Sequence, residues 1–245
     1  MYSMLLTGGR ILIVKQIIAI SFLVAVAYVL TAPATYYKLG KVVFGDVPEF
    51  YNVELAHYLF SYAAYPPIGT APEFAHYQLS RTYFIRGQLI AAVKEAKKEL
   101  ELYPDNKRTY YILGLTYGYL ELRQEAVLSF MQFIEAYPNS WAARNDIAWI
   151  LFQSGDIAGA RYYIEPVATV HNPWVQNTYG TILLNQGEYD KAKEAFLIAE
   201  REAAAMTEEE WGSAYPGNDP RIYGTGLSAM RRSIAANLAL LEGLK

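Results

Sequence analysis

From Leu79 onward, apolar side chains recur at helical spacing, and the whole pattern then returns a fixed distance further along the chain. Leu79, Leu113, Ile147 and Tyr179 are separated by 34, 34 and 32 residues, and Tyr83, Tyr117, Leu151 and Leu183 keep the same separations. Ala92, Ala126, Ala160 and Ala192 form a third column, and Ala96, Phe130, Ile164 and Phe196 a fourth. Four columns sharing one period mark a true internal repeat. Leu79 and Tyr83 are related by i, i+4, as are Ala92 and Ala96, so each period predicts two amphipathic helices. Gly87, Gly155 and Gly187 fall between them as turn signals. Proline-containing breaks close each period at Tyr103-Pro104-Asp105-Asn106, Tyr137-Pro138-Asn139-Ser140 and His171-Asn172-Pro173. There a proline stops the second helix, and Asn or Ser is suited to cap the next.

This pattern resembles the tetratricopeptide repeat family, whose unit is a helix–turn–helix of about 34 residues. The likeness covers 73–205, and Asn185-Gln186-Gly187-Glu188-Tyr189-Asp190-Lys191-Ala192 is its most family-like stretch. Gly114, Ala148 and Gly180 match the family's small residue in the first helix, where the first unit has Ser80. Glu121 stands in place of the turn glycine, the third proline is shifted by one, and the family's frequent Trp is absent from its column. The resemblance implies an all-α fold: four helix pairs stacked into a right-handed solenoid with helical caps. It also implies a groove lined by the first helices. The family's groove columns fall on Phe74, Tyr77, Arg81, Arg108, Tyr111, Leu115, Asn145, Trp149, Asn177 and Thr181. Such a strip mixes aromatic anchors with amide and hydroxyl groups suited to a protein or peptide partner. The competing reading is that these residues pack against capping helices or a neighbouring loop. The family's basic carboxylate clamp is not matched.

The flanks read as caps. Residues 48–67 predict one flanking helix offering Phe50, Leu55, Leu59 and Tyr62, ended by Tyr65-Pro66-Pro67. Residues 206–221, rich in Glu, Gly and Pro, predict a loop, and 222–245 a capping helix with Leu227, Met230, Ile234, Leu238 and Leu241 on one stripe.

The amino-terminal part differs in kind. Gln16 to Tyr37 is 22 residues without a charge, enough for a helix of about 30 Å, the thickness of a bilayer's hydrocarbon core. Lys15 at one end and Tyr28, Tyr36 and Tyr37 toward the other suit the two interfaces. Residues 1–37 are therefore read as a tail and single transmembrane helix in contact with the lipid bilayer through 16–37, followed by a linker over 38–47. The rival is a cleaved signal peptide, with Arg10 and Lys15 as its basic region and Ala32-Pro33-Ala34 as small residues at the cleavage spacing. A buried core helix is the third alternative. Flanking Lys and Arg residues balance, so orientation rests on the short tail preceding a large domain, which places the bulk outside the cytoplasm.

Composition narrows the chemistry. Of 245 residues, 53% are hydrophobic and 18% charged, which excludes a disordered chain. A net charge of −3 with no basic run argues against nucleic acid as a partner. Cysteine is absent, which excludes disulfides and thiolate chemistry, and the three His are scattered, so no cofactor or metal is expected. Gly224-Thr225-Gly226-Leu227-Ser228-Ala229 has the form of a dinucleotide fingerprint but lacks the strand that fingerprint requires. Gly114 and Gly118 read as close packing inside the repeat, and Glu208-Glu209-Glu210 with Asp219 as a solvated acidic face. No catalytic signature is present. The chain reads as a non-catalytic, membrane-tethered scaffold that docks a partner through its groove, or alternatively as a structural subunit of a membrane or envelope assembly or filament.

Overall fold

The structure, a computed structural model, describes residues 17–23, 31–46, 48–214 and 223–244. Among them it is helical throughout, with no strand. The chain divides into two compact units, Met1–Thr82 and Tyr83–Lys245.

In the first unit, residues 17–23 are helical, and Ile17, Ile18, Ile20, Phe22 and Leu23 are all exposed. Residues 16 and 24–30 of the predicted span lie outside the described residues. No described helix is long and apolar enough to cross a membrane. The far end of the predicted span is different from expectation. Helix α1 (Pro33–Lys41) begins with proline in its first turn, where no backbone donor is lost, and runs into the segment read as a linker. A π-helical turn, Val42–Asp46, follows and is kinked at Gly45, whose φ of 139° only glycine adopts comfortably. Tyr36 stacks on Tyr62 at 4.0 Å and Tyr37 tilts against Phe60, so these rings pack on the next α-helix of the chain.

The expected single helix over 48–67 is split. A 3-10 turn, Pro48–Phe50, precedes α2 (Val53–Ala64), because Asn52 stops the chain in an extended conformation and accepts the Leu55 N–H. Gly40 of α1 lies against Phe60 of α2 so closely that a Cβ would come within 2.6 Å of the ring. Helix α3 (Ala75–Ile85) carries the boundary between the units, and Thr82 is joined to His57 Nδ1 at 2.9 Å.

The second unit contains α4 (Leu89–Leu102), then three tight pairs: α5 (Thr109–Tyr119) with α6 (Arg123–Ala136), α7 (Trp141–Gln153) with α8 (Ile157–Ile164), and α9 (Pro173–Asn185) with α10 (Tyr189–Ala205). One device closes each seam. Gly114 admits the Phe130 ring and Gly180 the Phe196 ring; a Cβ on either glycine would lie 2.7 Å from the ring. In the middle pair Ala148 faces Ile164, both fully buried, so a larger first-helix residue is matched by a smaller second-helix one. The Ala column at 126, 160 and 192 is wholly buried.

The turns repeat as well. Gly87, Gly155 and Gly187 have φ of 73°, 83° and 77°, and Glu121 takes the same left-handed conformation at 59° without being glycine. Ser140, Asp156 and Asn172 cap α7, α8 and α9 with their side-chain oxygens. The displaced third proline has a local cause. Helix α8 ends early at Ile164, a 3-10 turn containing Pro166 follows, and Gln176 Nε2 ties the connection by donating to the carbonyls of Ala168 and Val170.

The segment 206–221 is not all loop. Thr207 and Glu210 form a reciprocal capping box, Thr207 N–H to Glu210 Oε2 at 2.8 Å and Glu210 N–H to Thr207 Oγ1 at 3.1 Å, and start α11 (Glu208–Ala214). Helix α12 (Tyr223–Gly243) buries Leu227, Ile234 and Leu241, the first two with Trp211, Ala199 and Ala203, the last with Leu183 and Phe196. Arg231 donates to the carbonyls of Ala203 and Met206, satisfying the open end of α10. Gly226 of the fingerprint-like sequence sits against the Trp211 indole, which explains a residue without a side chain there.

Candidate binding face

The three groove candidates of the first unit are already occupied with one another and with Phe44. Phe74 meets Tyr77 edge-on at 6.2 Å, and the Arg81 guanidinium lies 4.8 Å from the Phe44 ring and 5.8 Å from the Tyr77 ring. Arg81 also donates to Gln78 at 2.9 Å.

The second unit brings several of the others together. Helices α5, α7 and α9 bring Leu115, Asn145, Asp146, Trp149 and Asn177 to a common open face. Two hollows adjoin there across Trp149 and Asp146. One, of about 320 Å³, lies between α5 and α7 and is lined by Gly114, Leu115, Tyr119 and Trp149. The other, of about 430 Å³, is bounded by α7, α9, α11 and α12 and is lined by Asn145, Trp149, Trp174, Asn177 and Trp211. Their size suits a few side chains of a ligand. Trp174 stacks on Trp211 at 4.2 Å and Trp141 on Trp174 at 6.0 Å, which makes one wall rigid and aromatic. Trp149 stacks on Phe152 and keeps 40% of its surface exposed.

The floor is polar. Tyr111 is buried, packs edge-on against Phe130 and Phe133, and donates its hydroxyl to Asp146 Oδ2 at 2.9 Å. Asp146 is half-buried, and the loss of hydration pushes its carboxyl up to about 8, against a lowering by the hydrogen bonds from Tyr111 and Asn145. Burial likewise lifts the Tyr111 phenol well above its ordinary value, and the neighbouring carboxylate adds to the effect. Asn145 is 6% exposed; its amide N–H₂ serves the Asp146 carboxyl, and its Oδ1 has no hydrogen-bond partner among the described residues.

Leu115, Asn145, Trp149 and Asn177 thus line the hollows, and Tyr111 supports them from below. Arg108 is exposed but lines neither, and Thr181 bonds back to the Asn177 carbonyl at 2.8 Å. Asn177 accepts from Asn237 of α12 at 3.0 Å, so at that position the alternative of packing against the terminal helix is realised. The resemblance-based columns omit Asp146, Tyr119, Trp174 and Trp211. Asp146 shares its column with Ile112 and Thr178, so a carry-over by column had no reason to select it. A larger hollow on the outer side of α10 is lined by His171, Asp190, Lys193, Glu194 and Arg201, a charged surface without aromatic walls. No group of acidic or His residues able to hold a metal exists among the described residues.

These features are those of a known fold. The profile described as tetratricopeptide repeat matches residues 107–140, which hold α5, α6 and the turn between them. A thermophilic tetratricopeptide-repeat protein of Thermus thermophilus is similar at a TM-score of 0.57 and 16% identity, over 85% of this chain and 100% of that one. YrrB, described as a TPR protein with an unusual peptide-binding site, is similar at 0.58 and 18%, over 75% of this chain and 93% of its own. MamA of AMB-1 is similar at 0.56 and 18%, over 72% and 94%. No curated protein matches the sequence. The chain has the all-helical tetratricopeptide-repeat fold, a scaffold architecture of stacked helix pairs.

Proposed function

We propose that this protein is a non-catalytic scaffold that docks a partner protein or peptide on the open face of α5, α7 and α9. The observation that carries this is the pair of adjoining hollows around Trp149, with aromatic walls and a buried polar floor left partly unsatisfied. A rigid face of this kind loses little entropy on binding, and large aromatic anchors supply most of the affinity of such contacts. The peptide-binding site named for YrrB, a protein of the same fold, supports the reading by analogy. Crosslinking in native membranes, followed by mass spectrometry, tests it. The native protein is expected to retain a defined partner that Trp149→Ala loses while still folded, as shown by a cooperative thermal melt. Equal capture by the variant would place the docking site elsewhere.

The scaffold is tethered to a membrane by the charge-free stretch from Gln16 up to the start of α1, with the folded part outside the cytoplasm. Exposed Ile17, Ile18, Ile20, Phe22 and Leu23 support this, since side chains of that kind on one helical segment need an apolar surrounding. Tethering raises the concentration of a captured partner at the membrane. Protease treatment of intact cells is expected to degrade the repeats; full protection would reverse the orientation. The same exposed residues favour a second reading, in which the segment packs on other subunits of a membrane complex. Light scattering of the detergent-purified chain separates the two, a monomer supporting the tether.

A further inference from the structure

We propose that the floor shared by the two hollows receives an arginine side chain of the docked partner, its guanidinium resting against Trp149 while Asp146 and the Asn145 amide oxygen accept its N–H groups. This rests on the docking reading above and adds the chemistry of the occupant. Four observations converge on a cation. Asp146 and Trp149 are the two residues common to both hollows. No Lys, Arg or His lines either one, so the acidic group has no basic partner there and an arriving basic group has no rival. Asn145 is oriented by its neighbour: its amide N–H₂ must face the carboxyl, which leaves Oδ1 as a buried acceptor in need of a donor. The Asp146 carboxyl takes one hydrogen bond from Tyr111, at Oδ2, and one from Asn145, and its two oxygens have lone pairs for more.

Guanidinium answers this set better than ammonium. It carries five N–H donors in a plane, spans a carboxylate and an adjacent amide oxygen together, and stacks on an indole with less loss of hydration. Both hollows are walled by Trp or Tyr rings, which favour the flatter cation.

The cation also gives the buried carboxyl a reason to ionise. With its ordinary value raised to about 8, Asp146 holds a proton at neutral pH, and an arriving guanidinium favours the charged form, so that proton passes to solvent on binding. Affinity therefore rises about tenfold per pH unit through the neutral range and levels off above the Asp146 midpoint. Tyr111 beneath and Tyr119 at the rim, both from α5, are the other titratable groups facing the carboxyl. The residues that α9, α11 and α12 contribute to the hollow beside it are uncharged.

The test is selection of a random peptide library with blocked termini on the purified full chain in detergent, at pH 8.5. Arginine-containing peptides are expected to be enriched over those selected by Trp149→Ala. A selected peptide should lose at least tenfold in affinity when its arginine is exchanged for citrulline, and several-fold when exchanged for lysine. Asp146→Asn, which keeps an acceptor for Tyr111, should bind the arginine and citrulline peptides alike and lose the pH dependence. Peptides that require Trp149 but show no arginine preference would overturn this inference and leave the docking face standing. An absence of any Trp149-dependent peptide would overturn both. The citrulline exchange leaves the protein untouched, so it decides the point even if Asp146→Asn folds poorly.

Discussion

Helix α7 has two sides that obey different rules. Ile147 and Ala148 point into the protein, fully buried: Ala148 seals the pair against Ala160 and Ile164 by matched volumes, and Ile147 packs in the cluster that holds Phe130 of the preceding pair. Asn145, Asp146 and Trp149 flank them in sequence, yet hold an unsatisfied amide oxygen, a carboxyl kept neutral by burial, and a large ring left 40% exposed. The sealed side repeats in α5 and α9, as Gly114 with Phe130 and Gly180 with Phe196. The open side does not repeat: its column reads Ile112, Asp146, Thr178. Positions that stabilise the stack are shared among units, and positions that give it an identity are local to one.

The largest expected effect lies on the sealed side. Gly180→Leu drives a side chain into Phe196 and should destabilise the protein by about 3 kcal/mol in chemical denaturation. Gly180→Ala combined with Phe196→Ile rebuilds the Ala148–Ile164 arrangement and should recover most of the loss suffered by Gly180→Ala alone; a simply additive double variant would refute volume matching as the rule. Bulky replacements of Ala126 or Ala160 should lower stability by about 1–3 kcal/mol for the same reason.

On the open side the expected effect follows pH. The folded protein holds the Asp146 proton up to about 8, whereas an unfolded Asp releases it near 3.8, so between these values the folded state binds more protons and stability falls as pH rises. From pH 5 to 7 this amounts to about 2–3 kcal/mol. Asp146→Asn should remove that slope in melting curves, and an unchanged slope would show that the carboxyl is not held neutral. A smaller effect belongs to the turns. Glu121 adopts a conformation that its counterparts reach as glycine, so Glu121→Gly should raise stability by about 1 kcal/mol. A change of similar size, a loss of about 1 kcal/mol, is expected for Trp149→Ala, whose half-covered ring rests on Phe152, alongside its loss of the partner.

The same contrast explains what the sequence reveals. The repeat columns, the breaks at Pro104, Pro138 and Pro173, and the stripe from Leu227 to Leu241 are legible because helix packing imposes them in every unit or along a whole helix. Helix α11 is written in Thr207 and Glu210, a capping box obscured by the Gly and Pro that follow. Helix α1 is hidden because Pro33 reads as an end to the apolar stretch, whereas in the first turn of a helix proline is a beginning. Of the candidate binding face, Trp149, Asn145, Leu115 and Asn177, which line its hollows, fall in the family's columns. Tyr111 falls in such a column too, but it is a buried support for Asp146, so replacing it would disturb the core as well as the face. Asp146, Trp174 and Trp211 become visible only when α7, α9 and α11 are brought side by side.

The central claim is that a partner lies on the open side of the first helices and not on the second. A benzophenone amino acid placed at position 149, and separately at Tyr162, an exposed residue of α8, tests this most directly in living cells. The account predicts a light-dependent adduct of defined mass from position 149 and none from 162. An adduct from 162 with none from 149 would contradict it.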